Sequence, residues 1–203
     1  MRRAELVRLL ERVPGFPRPR ADLEQVVTPS EAAATLLEIA DRIDGIEGRS
    51  VLDLGSGTGR LAIGMAALGA RPVRGLEVDV EAAQLATEAA RALGARVDFL
   101  VGDVRSAEGP AELVVMNPPF GAQRRHADRP FWERAFALAG RTVYAFALRD
   151  SRTFIGRQAV ARRADVLEVV SVPWSLGRTF PHHDRARVAL DVDLWALRTA
   201  QGG

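Results

Sequence analysis

The residues best suited to chemistry stand together in Asn117–Phe120, which reads Asn-Pro-Pro-Phe. They follow the apolar run Leu113–Met116, a pattern that predicts a buried strand. Two consecutive prolines fix φ and remove two N–H donors, so they neither continue a sheet nor begin a regular helix. The sequence therefore predicts a stiff turn at the carboxyl end of a strand, which is where open α/β sheets bind their ligands.

Such a turn suits the activation of a weakly nucleophilic amine. An amine conjugated to a ring or a carbonyl reacts poorly because its lone pair is delocalised. The Asn117 side-chain oxygen and the Pro118 carbonyl could each accept one N–H, which would hold the nitrogen and disperse its developing positive charge. Phe120 could stack on a planar group taken out of its own stack, and Pro119 would keep the turn rigid. The alternative is a rigid strand exit with Phe120 in the core.

A glycine-rich turn, Gly55-Ser56-Gly57-Thr58-Gly59, follows the earlier apolar run Val51–Leu54. The glycines would let the backbone approach a ligand closely, and the N-terminus of the next helix would offer N–H groups to a carboxylate or phosphate. A dinucleotide fingerprint needs Gly-x-Gly-x-x-Gly, whereas this sequence has Arg60 in place of a third spaced glycine. Gly-x-Gly-x-Gly preceded by Asp53 instead resembles motif I of class I S-adenosyl-L-methionine-dependent methyltransferases. The alternative is a βα turn that binds no ligand.

Acidic residues at two later strand ends fit the same cofactor. Glu77 lies about 20 residues past the glycine turn, where an acid can accept hydrogen bonds from ribose hydroxyls. Asp79 is predicted to cap the helix that follows. Asp103 and Val104 end the third strand and would lie beside the adenine, with Asp103 accepting from its exocyclic amine and Val104 contributing a backbone N–H. A solvated acid and a common turn are the alternatives at these two places.

Strands and helices alternate from residue 50 onward, which places these stretches at the carboxyl ends of parallel strands. We predict strands at 50–54, 72–77, 97–101, 113–116, 142–148, 166–173 and 186–197, and helices at about 2–12, 28–43, 58–68, 80–93, 130–139 and 152–163. Thr28 is a candidate N-cap of the second helix, with Pro29 at its first position and Glu31 completing a capping box. The last two strands are predicted to form a hairpin at a sheet edge.

The expected fold class is α/β, the Rossmann-like fold of class I methyltransferases. It would have a seven-stranded, mostly parallel sheet with helices on both faces and an antiparallel edge hairpin. At 203 residues the chain can bury a full core, and it contains no evident linker, so residues 1–203 are predicted to form a single methyltransferase domain. Residues 1–48 would be a helical N-terminal extension that packs on the cofactor site, and residues 49–203 the catalytic core.

The composition limits the class of protein and the kinds of ligand that are expected. A content of 47% hydrophobic and 27% charged residues is typical of a soluble globular protein, and no apolar run approaches the roughly 20 residues that span a bilayer. A cytoplasmic protein is expected. With no cysteine and three histidines, we expect no metal site. All 28 basic residues are arginines but the net charge is only +2, so nucleic-acid binding must be inferred from local clusters.

Over residues 23–194 the chain resembles the methyltransferase-like protein 5 family and its archaeal relatives. These enzymes methylate an adenosine N6 in small-subunit ribosomal RNA. The resemblance is carried by Leu23-Glu24-Gln25, Thr28-Pro29, the motifs described above, Ala127-Asp128-Arg129-Pro130-Phe131, Val143-Tyr144, Ser151-Arg152, Arg178-Thr179-Phe180-Pro181 and Asp191-Val192-Asp193-Leu194. The chain departs from the family pattern at Val26, Ala147 and Asp184, which leaves the chemistry intact.

The resemblance implies further roles and partners. Gln25 and Thr28 would close over the methionine end of the cofactor. The loop beneath that end would be lined by Gly55, Thr58 and Arg60. The substrate would be RNA, namely a ribosomal RNA. Eukaryotic members rely on a small zinc-binding methyltransferase activator protein that pairs with an edge of the sheet, so such a partner is a hypothesis for this chain.

A basic loop follows the Asn-Pro-Pro-Phe motif directly. Arg124 and Arg125 are suited to phosphate contacts beside a base pocket. Arg178 and the segment 182–187 could add a second phosphate-binding edge. The alternative for the loop is a charged, solvated surface turn.

Other functions share parts of this pattern. Release-factor-type protein glutamine N5-methyltransferases also carry Asn-Pro-Pro-Tyr, but they usually have a sizeable helical N-terminal domain, and only about 48 residues precede the first strand here. DNA adenine-N6 methyltransferases usually add a recognition domain. A non-enzymatic module for ribosome assembly would not need Asp53, Glu77 and Asn117. The sequence thus favours an adenosine-N6 RNA methyltransferase.

Overall fold

A computed structural model describes residues 1–121, 123–176 and 188–201. Within them the strands are β1 (Val51–Leu54), β2 (Val73–Glu77), β3 (Asp98–Val101), β4 (Ala111–Met116), β5 (Ala139–Leu148), β6 (Asp165–Leu176) and β7 (Val188–Arg198). The α-helices are α1 (Arg3–Glu11), α2 (Ser30–Asp44), α3 (Arg60–Ala67), α4 (Val80–Leu93), α5 (Arg129–Leu138) and α6 (Arg152–Ala161). Each predicted strand and helix is present, and the ends differ by a few residues.

The described strands form one sheet in the order β3-β2-β1-β4-β5-β7-β6. The first five are mutually parallel, whereas β7 runs antiparallel to both β5 and β6. The predicted fold class and the predicted edge hairpin are therefore confirmed. The chain order reverses between β1 and β4, the switch point beside which open α/β sheets bind ligands. Because Leu54 pairs with Met116, the glycine turn and Asn117 leave the sheet side by side.

The central strands are buried because helices cover both faces of the sheet. In β4 the alternate residues Leu113 and Val115 join the core that contains α1, α2 and α3, whereas Val114 and Met116 join the core beneath α5 and α6. This alternation is the period of two that a strand imposes on its side chains. The two cores fix the carboxyl ends of the strands, and so the residues that follow them.

The start of α2 corrects one prediction. Pro29 is the N-cap of this helix and makes no side-chain capping bond, so Thr28 is not the cap and the predicted capping box with Glu31 is absent. The Thr28 hydroxyl instead accepts a hydrogen bond from Asn117, 89 residues away. At α4 the predicted cap is confirmed, since Asp79 accepts a hydrogen bond from the backbone N–H of Glu81 at 2.9 Å.

The last residue of α2, Asp44, is a buried acid that ties this helix to the far half of the sheet. Its carboxylate accepts hydrogen bonds from Arg141 at 2.5 Å and Tyr144 at 2.6 Å, and it lies 2.9 Å from the Arg198 guanidinium. Burial alone would raise the pKa of Asp44, but the hydrogen bonds and the nearby arginines outweigh it and hold the pKa below its ordinary value. Asp44 is therefore a charged anchor of the core.

Replacing Asp44 by asparagine is expected to lower the free energy of unfolding by about 3 kcal/mol, because it leaves partly buried guanidinium groups without their charge partner. Denaturant unfolding at pH 7 measures the change. The matched control is Asp22→Asn, which breaks an exposed ion pair with Arg20 and should change the free energy of unfolding far less. Since the pKa of Asp44 is lowered on folding, its contribution should be present at neutral pH and fade as acid protonates it. Equal losses in the two variants would contradict the anchor role.

Two further findings apply to the described residues. None of the helices there is both long and apolar enough to cross a membrane. The same residues contain no cluster of three or more His, Cys, Asp or Glu side chains arranged to hold a metal ion.

Candidate active site

A cavity of about 650 Å³ lies at the carboxyl ends of β1, β2 and β4. The predicted site residues that line it are Gln25, Thr28, Asp53, Gly55, Gly57, Thr58, Arg60, Glu77, Asp103, Val104, Asn117, Pro118, Pro119, Phe120, Arg124 and Arg125. Gly59 is not among the lining residues, and Arg178 and the segment 182–187 lie outside the described part of the chain. The structure thus brings the four sequence motifs around a single space.

Asn117 presents an unused acceptor at the end of β4. Its side-chain nitrogen donates to the Thr28 hydroxyl at 3.0 Å, whereas its side-chain oxygen is buried and has no hydrogen-bond partner among the described residues. A buried oxygen without a donor costs free energy, so it is a strong acceptor for any N–H group that enters. This geometry suits the holding of an amine.

The aromatic ring of the motif faces the cavity and rests on the core behind it. Phe120 is half-buried and packs edge to face on Trp174, with ring centroids 5.8 Å apart. Trp174 in turn packs edge to face on Phe146 at 5.1 Å. This aromatic stack holds the Phe120 ring in one orientation, which leaves its cavity-facing side for a planar group.

Two glycines of the turn serve different purposes. Gly57 has φ of +54°, its N–H donates to Glu77 at 2.8 Å, and a Cβ there would lie 2.9 Å from the Phe16 ring. Gly59 has φ of +89°, and a Cβ there would lie 2.7 Å from the Phe99 ring. Gly57 therefore allows backbone approach at the cavity wall, whereas Gly59 allows the first turn of α3 to pack on the sheet.

Asp53 is the most deeply buried acid of the cavity. It is 1% exposed, and one of its oxygens accepts from the Ala62 N–H at 3.0 Å while the other has no partner among the described residues. Burial and the nearby charge of Glu77 raise the pKa of Asp53 to about 7. A buried carboxylate with a free oxygen fits a positively charged group of a ligand.

Glu77 is a buried acid fixed by the backbone. Its two oxygens accept from the N–H groups of Gly57 at 2.8 Å and Asp79 at 2.9 Å, and burial raises the pKa of Glu77 above its ordinary value. Each carboxylate oxygen can still accept a second hydrogen bond. The arrangement fits a pair of ribose hydroxyls.

Asp103 and Val104 form the more open side of the cavity. The Asp103 carboxylate accepts from the Arg105 N–H at 2.8 Å and pairs with the Arg105 guanidinium at 3.1 Å, and its side chain is about half exposed. Val104 begins a short 3₁₀ turn, Val104–Ser106. A planar base could lie against this rim.

The chain between α1 and α2 crosses the cavity and is held by polar contacts. Arg60 donates to the carbonyls of Val13 at 2.9 Å and Thr28 at 2.6 Å. Gln25 donates to Asp79 at 2.7 Å and accepts from the Arg20 N–H at 2.8 Å. Both side chains line the cavity, and their hydrogen bonds are to other groups of the protein.

Glu24 was not among the predicted site residues. Its carboxylate accepts from the backbone N–H groups of Gly121 at 2.9 Å, Gln123 at 2.8 Å and Arg124 at 3.4 Å. It thereby holds the loop that follows the Asn-Pro-Pro-Phe motif. Its φ of +51° is uncommon for a residue other than glycine. A partner 97 residues away leaves no local pattern, so only the resemblance around Glu24 hinted at a role.

Comparison with known proteins assigns the chain to a family. A family model described as the methyltransferase small domain matches residues 30–143, more than half of the chain. The chain belongs to this methyltransferase family. Mettl5 of Drosophila melanogaster, named an rRNA N(6)-adenosine-methyltransferase, is 31% identical over 199 residues, which cover 94% of this chain and 93% of that protein.

A solved structure from Pyrococcus horikoshii, described as a candidate RNA methyltransferase, is 35% identical to this methyltransferase. It has a TM-score of 0.91 and covers 98% of both chains. A release factor glutamine methyltransferase of Deinococcus radiodurans matches less of the chain. It is 36% identical over 109 residues, which cover 51% of this methyltransferase and 39% of that protein. Of these three matches, the two that cover nearly the whole chain are to proteins named for RNA.

The cofactor of this methyltransferase is S-adenosylmethionine, which when bound supplies an activated methyl group on a sulfonium. The cavity residues fit it. The free buried oxygen of Asp53 and the N–H groups of the glycine turn suit its charged amino-acid end, Glu77 suits its ribose and the rim at Asp103 and Val104 suits its adenine. The unpartnered Asn117 oxygen stays available for the group to be methylated.

Proposed function

We propose that this methyltransferase modifies N6 of an adenosine in small-subunit ribosomal RNA. The observation that carries the proposal is the buried, unpartnered oxygen of Asn117, held beside two prolines and the Phe120 ring at the end of β4. An exocyclic ring amine needs an acceptor and a stacking surface in this arrangement. Mettl5, which the chain matches over nearly its whole length, is named an rRNA N(6)-adenosine-methyltransferase.

In the proposed mechanism the protein binds and orients the amine. The target adenine leaves its stack and lies against Phe120. The Asn117 oxygen and the Pro118 carbonyl accept hydrogen bonds from the two N6–H groups, which orients the nitrogen lone pair and disperses the positive charge that forms on nitrogen as it gains the methyl group. The methylated nitrogen then releases one of its two protons to solvent and becomes neutral. Most of the rate increase then comes from orientation.

Each predicted cofactor contact except Gly59 is part of the proposal. Asp53 would hold the positively charged end of the cofactor and Glu77 its ribose, with Asp103 and Val104 beside the adenine. The loop beneath the methionine end would be formed by Gly55, Gly57, Thr58 and Arg60, and the segment above it by Gln25 and Thr28. Residues 1–48 would act with residues 49–203 as one domain, since the contacts of Arg60 join the two parts.

A protein glutamine N5-methyltransferase is the second candidate, because the Asn-Pro-Pro-Phe turn alone does not separate an adenine from an amide. Labelled-methyl transfer to total RNA, genomic DNA and protein in parallel decides between them, followed by nucleoside analysis. We expect label in N6-methyladenosine of ribosomal RNA. Label in protein glutamine, or in DNA adenine, would overturn the proposal in favour of that substrate.

Arg124 and Arg125 are exposed on the loop beside the cavity, where RNA phosphates would pass. Reversing both charges to glutamate should weaken RNA binding and lower the slope of log affinity against log salt by about 1.5. The matched control is Arg91→Glu with Arg96→Glu, which alters two exposed arginines outside the cavity lining. The same affinity at low salt in both double variants would return the loop to a solvated surface turn.

The activator protein is a further part of the proposal. β3 is an edge strand paired only with β2 in the described sheet. Leu100 and Val101 at the end of β3, and Val78 directly after β2, are about half exposed. An apolar sheet edge suits a partner that adds a strand. If the isolated chain methylates RNA as fast as it does with the activator added, this partner is not required.

A further inference from the structure

A second cleft, of about 560 Å³, lies beside the catalytic cavity between α5 and the beginning of α6. It is lined by Arg129, Glu133, Asp150, Thr153, Phe154 and Arg157, with Gln158 at its side. Arg129 stands between the two spaces, because its guanidinium lies 3.5 Å from the His126 ring nitrogen and His126 lines the catalytic cavity. The two spaces are therefore close enough for neighbouring nucleotides of one strand to reach both.

The cleft contains a flat stacking surface. The Arg129 guanidinium lies 5.6 Å from the centre of the Phe154 ring, and this ring is half-buried on the core beneath α5 and α6. A guanidinium and an aromatic ring placed together are the surfaces on which proteins stack unpaired bases. Because the guanidinium lies over the ring and the core lies behind it, the outer face of the guanidinium is the surface on which a base would stack, with Phe154 as its support.

The polar groups of the cleft suit the edge of a base better than a phosphate. Glu133 and Asp150 offer acceptors for amino groups, whereas Arg157 and Gln158 offer donors for ring nitrogens and carbonyls. These two acids and the two arginines take no part in the ion pairs formed within the described residues. A site for phosphate alone would not place two carboxylates in the same cleft.

We propose that this cleft binds an unpaired nucleotide of the RNA substrate, a neighbour of the adenosine that enters the catalytic cavity. The inference rests on the proposed function and deepens it, because it gives the enzyme a second base to hold. Two bases held on either side of Arg129 would keep the target strand splayed and fix which nucleotide reaches Asn117.

The test compares Phe154→Leu, Phe154→Trp and Val160→Ala with the unchanged enzyme. The substrate is an RNA oligonucleotide that spans the methylated site found in the total-RNA experiment. Leucine keeps the apolar contact with the core but removes the stacking surface, so KM for RNA should rise about fivefold or more while kcat at saturating RNA stays unchanged. Tryptophan keeps the surface and should keep KM. Val160 is exposed on the same helix and outside the cleft lining, so Val160→Ala should leave both constants unchanged.

A second measurement separates stacking from stability. Removing the base of the neighbouring nucleotide should raise KM for the unchanged enzyme, and Phe154→Leu should then add no further increase. An unchanged KM in Phe154→Leu, or equal losses with leucine and tryptophan, would overturn the subsite. If the unchanged enzyme leaves RNA unmethylated and labels another substrate, the proposed function itself fails, which is a different result.

Discussion

Replacing Asn117 by alanine is expected to lower the rate of methyl transfer by about 100-fold to 1,000-fold, the usual effect of losing one oriented hydrogen-bond partner of a transition state. The affinity for S-adenosylmethionine should change little. The reason is that the Asn117 oxygen has no partner among the described residues, whereas its nitrogen donates to Thr28. Alanine therefore removes the acceptor for the substrate amine and leaves Asp53 and Glu77 intact.

Two further variants show whether the loss of activity comes from the missing hydrogen-bond acceptor. Asn117→Asp keeps an acceptor at the same place, so it should retain more activity than alanine. Gln84→Ala changes an exposed side chain of α4 outside the cavity lining and should retain full activity. Single-turnover methyl transfer with saturating RNA measures the chemical step, and calorimetry measures cofactor affinity. Full activity in Asn117→Ala, or a loss explained by weaker cofactor binding alone, would remove Asn117 from the proposed role.

The positions of the motifs could be predicted because the fold itself brings the ends of the strands together. In a parallel sheet the carboxyl ends of neighbouring strands meet at one edge, so Asp53, Glu77 and Asn117 had to converge once their strands were recognised. The strands themselves were visible as short apolar runs between helices that end at glycine. The order of the four motifs then carried more information than any one of them.

The contacts between motifs could not be predicted, because each joins residues far apart in the sequence. Thr28 satisfies every local rule for an N-cap, yet its hydroxyl is used by Asn117, and the helix begins without a side-chain cap. Glu24 reaches a loop about 100 residues later. Gly59 belongs to the glycine pattern, but the structure gives it a packing contact with Phe99. In each case the local sequence allowed more than one role for the residue, and contacts with distant parts of the chain determined which role it has.

Asp53 is predicted to make both stability and cofactor binding depend on pH, in opposite directions. Burial and the charge of Glu77 raise its pKa from the ordinary 3.8 to about 7 in the folded protein. Between these values the folded state binds a proton that the unfolded state has released, so stability without cofactor falls as pH rises through this window. The cofactor's positive end needs the ionised carboxylate, so its affinity should instead fall as pH drops below about 7.

The substitution Asp53→Asn separates these two effects. Without cofactor the variant should be more stable than the unchanged protein at pH 8 by a few kcal/mol, because it no longer buries a charge, and this advantage should shrink to less than half as the pH is lowered to 5. Its affinity for S-adenosylmethionine should fall at least about tenfold at pH 8 and lose most of its decrease below pH 7, where the raised pKa of Glu77 still contributes. Thermal unfolding and calorimetry at the two pH values measure both quantities. Cofactor binding as tight as that of the unchanged protein would show that the free oxygen of Asp53 does not face the ligand's charge. Lower stability at pH 8 would show that the carboxylate makes stabilising contacts that asparagine loses. The same buried carboxylate would then be a structural acid bound to the first turn of α3 through Ala62.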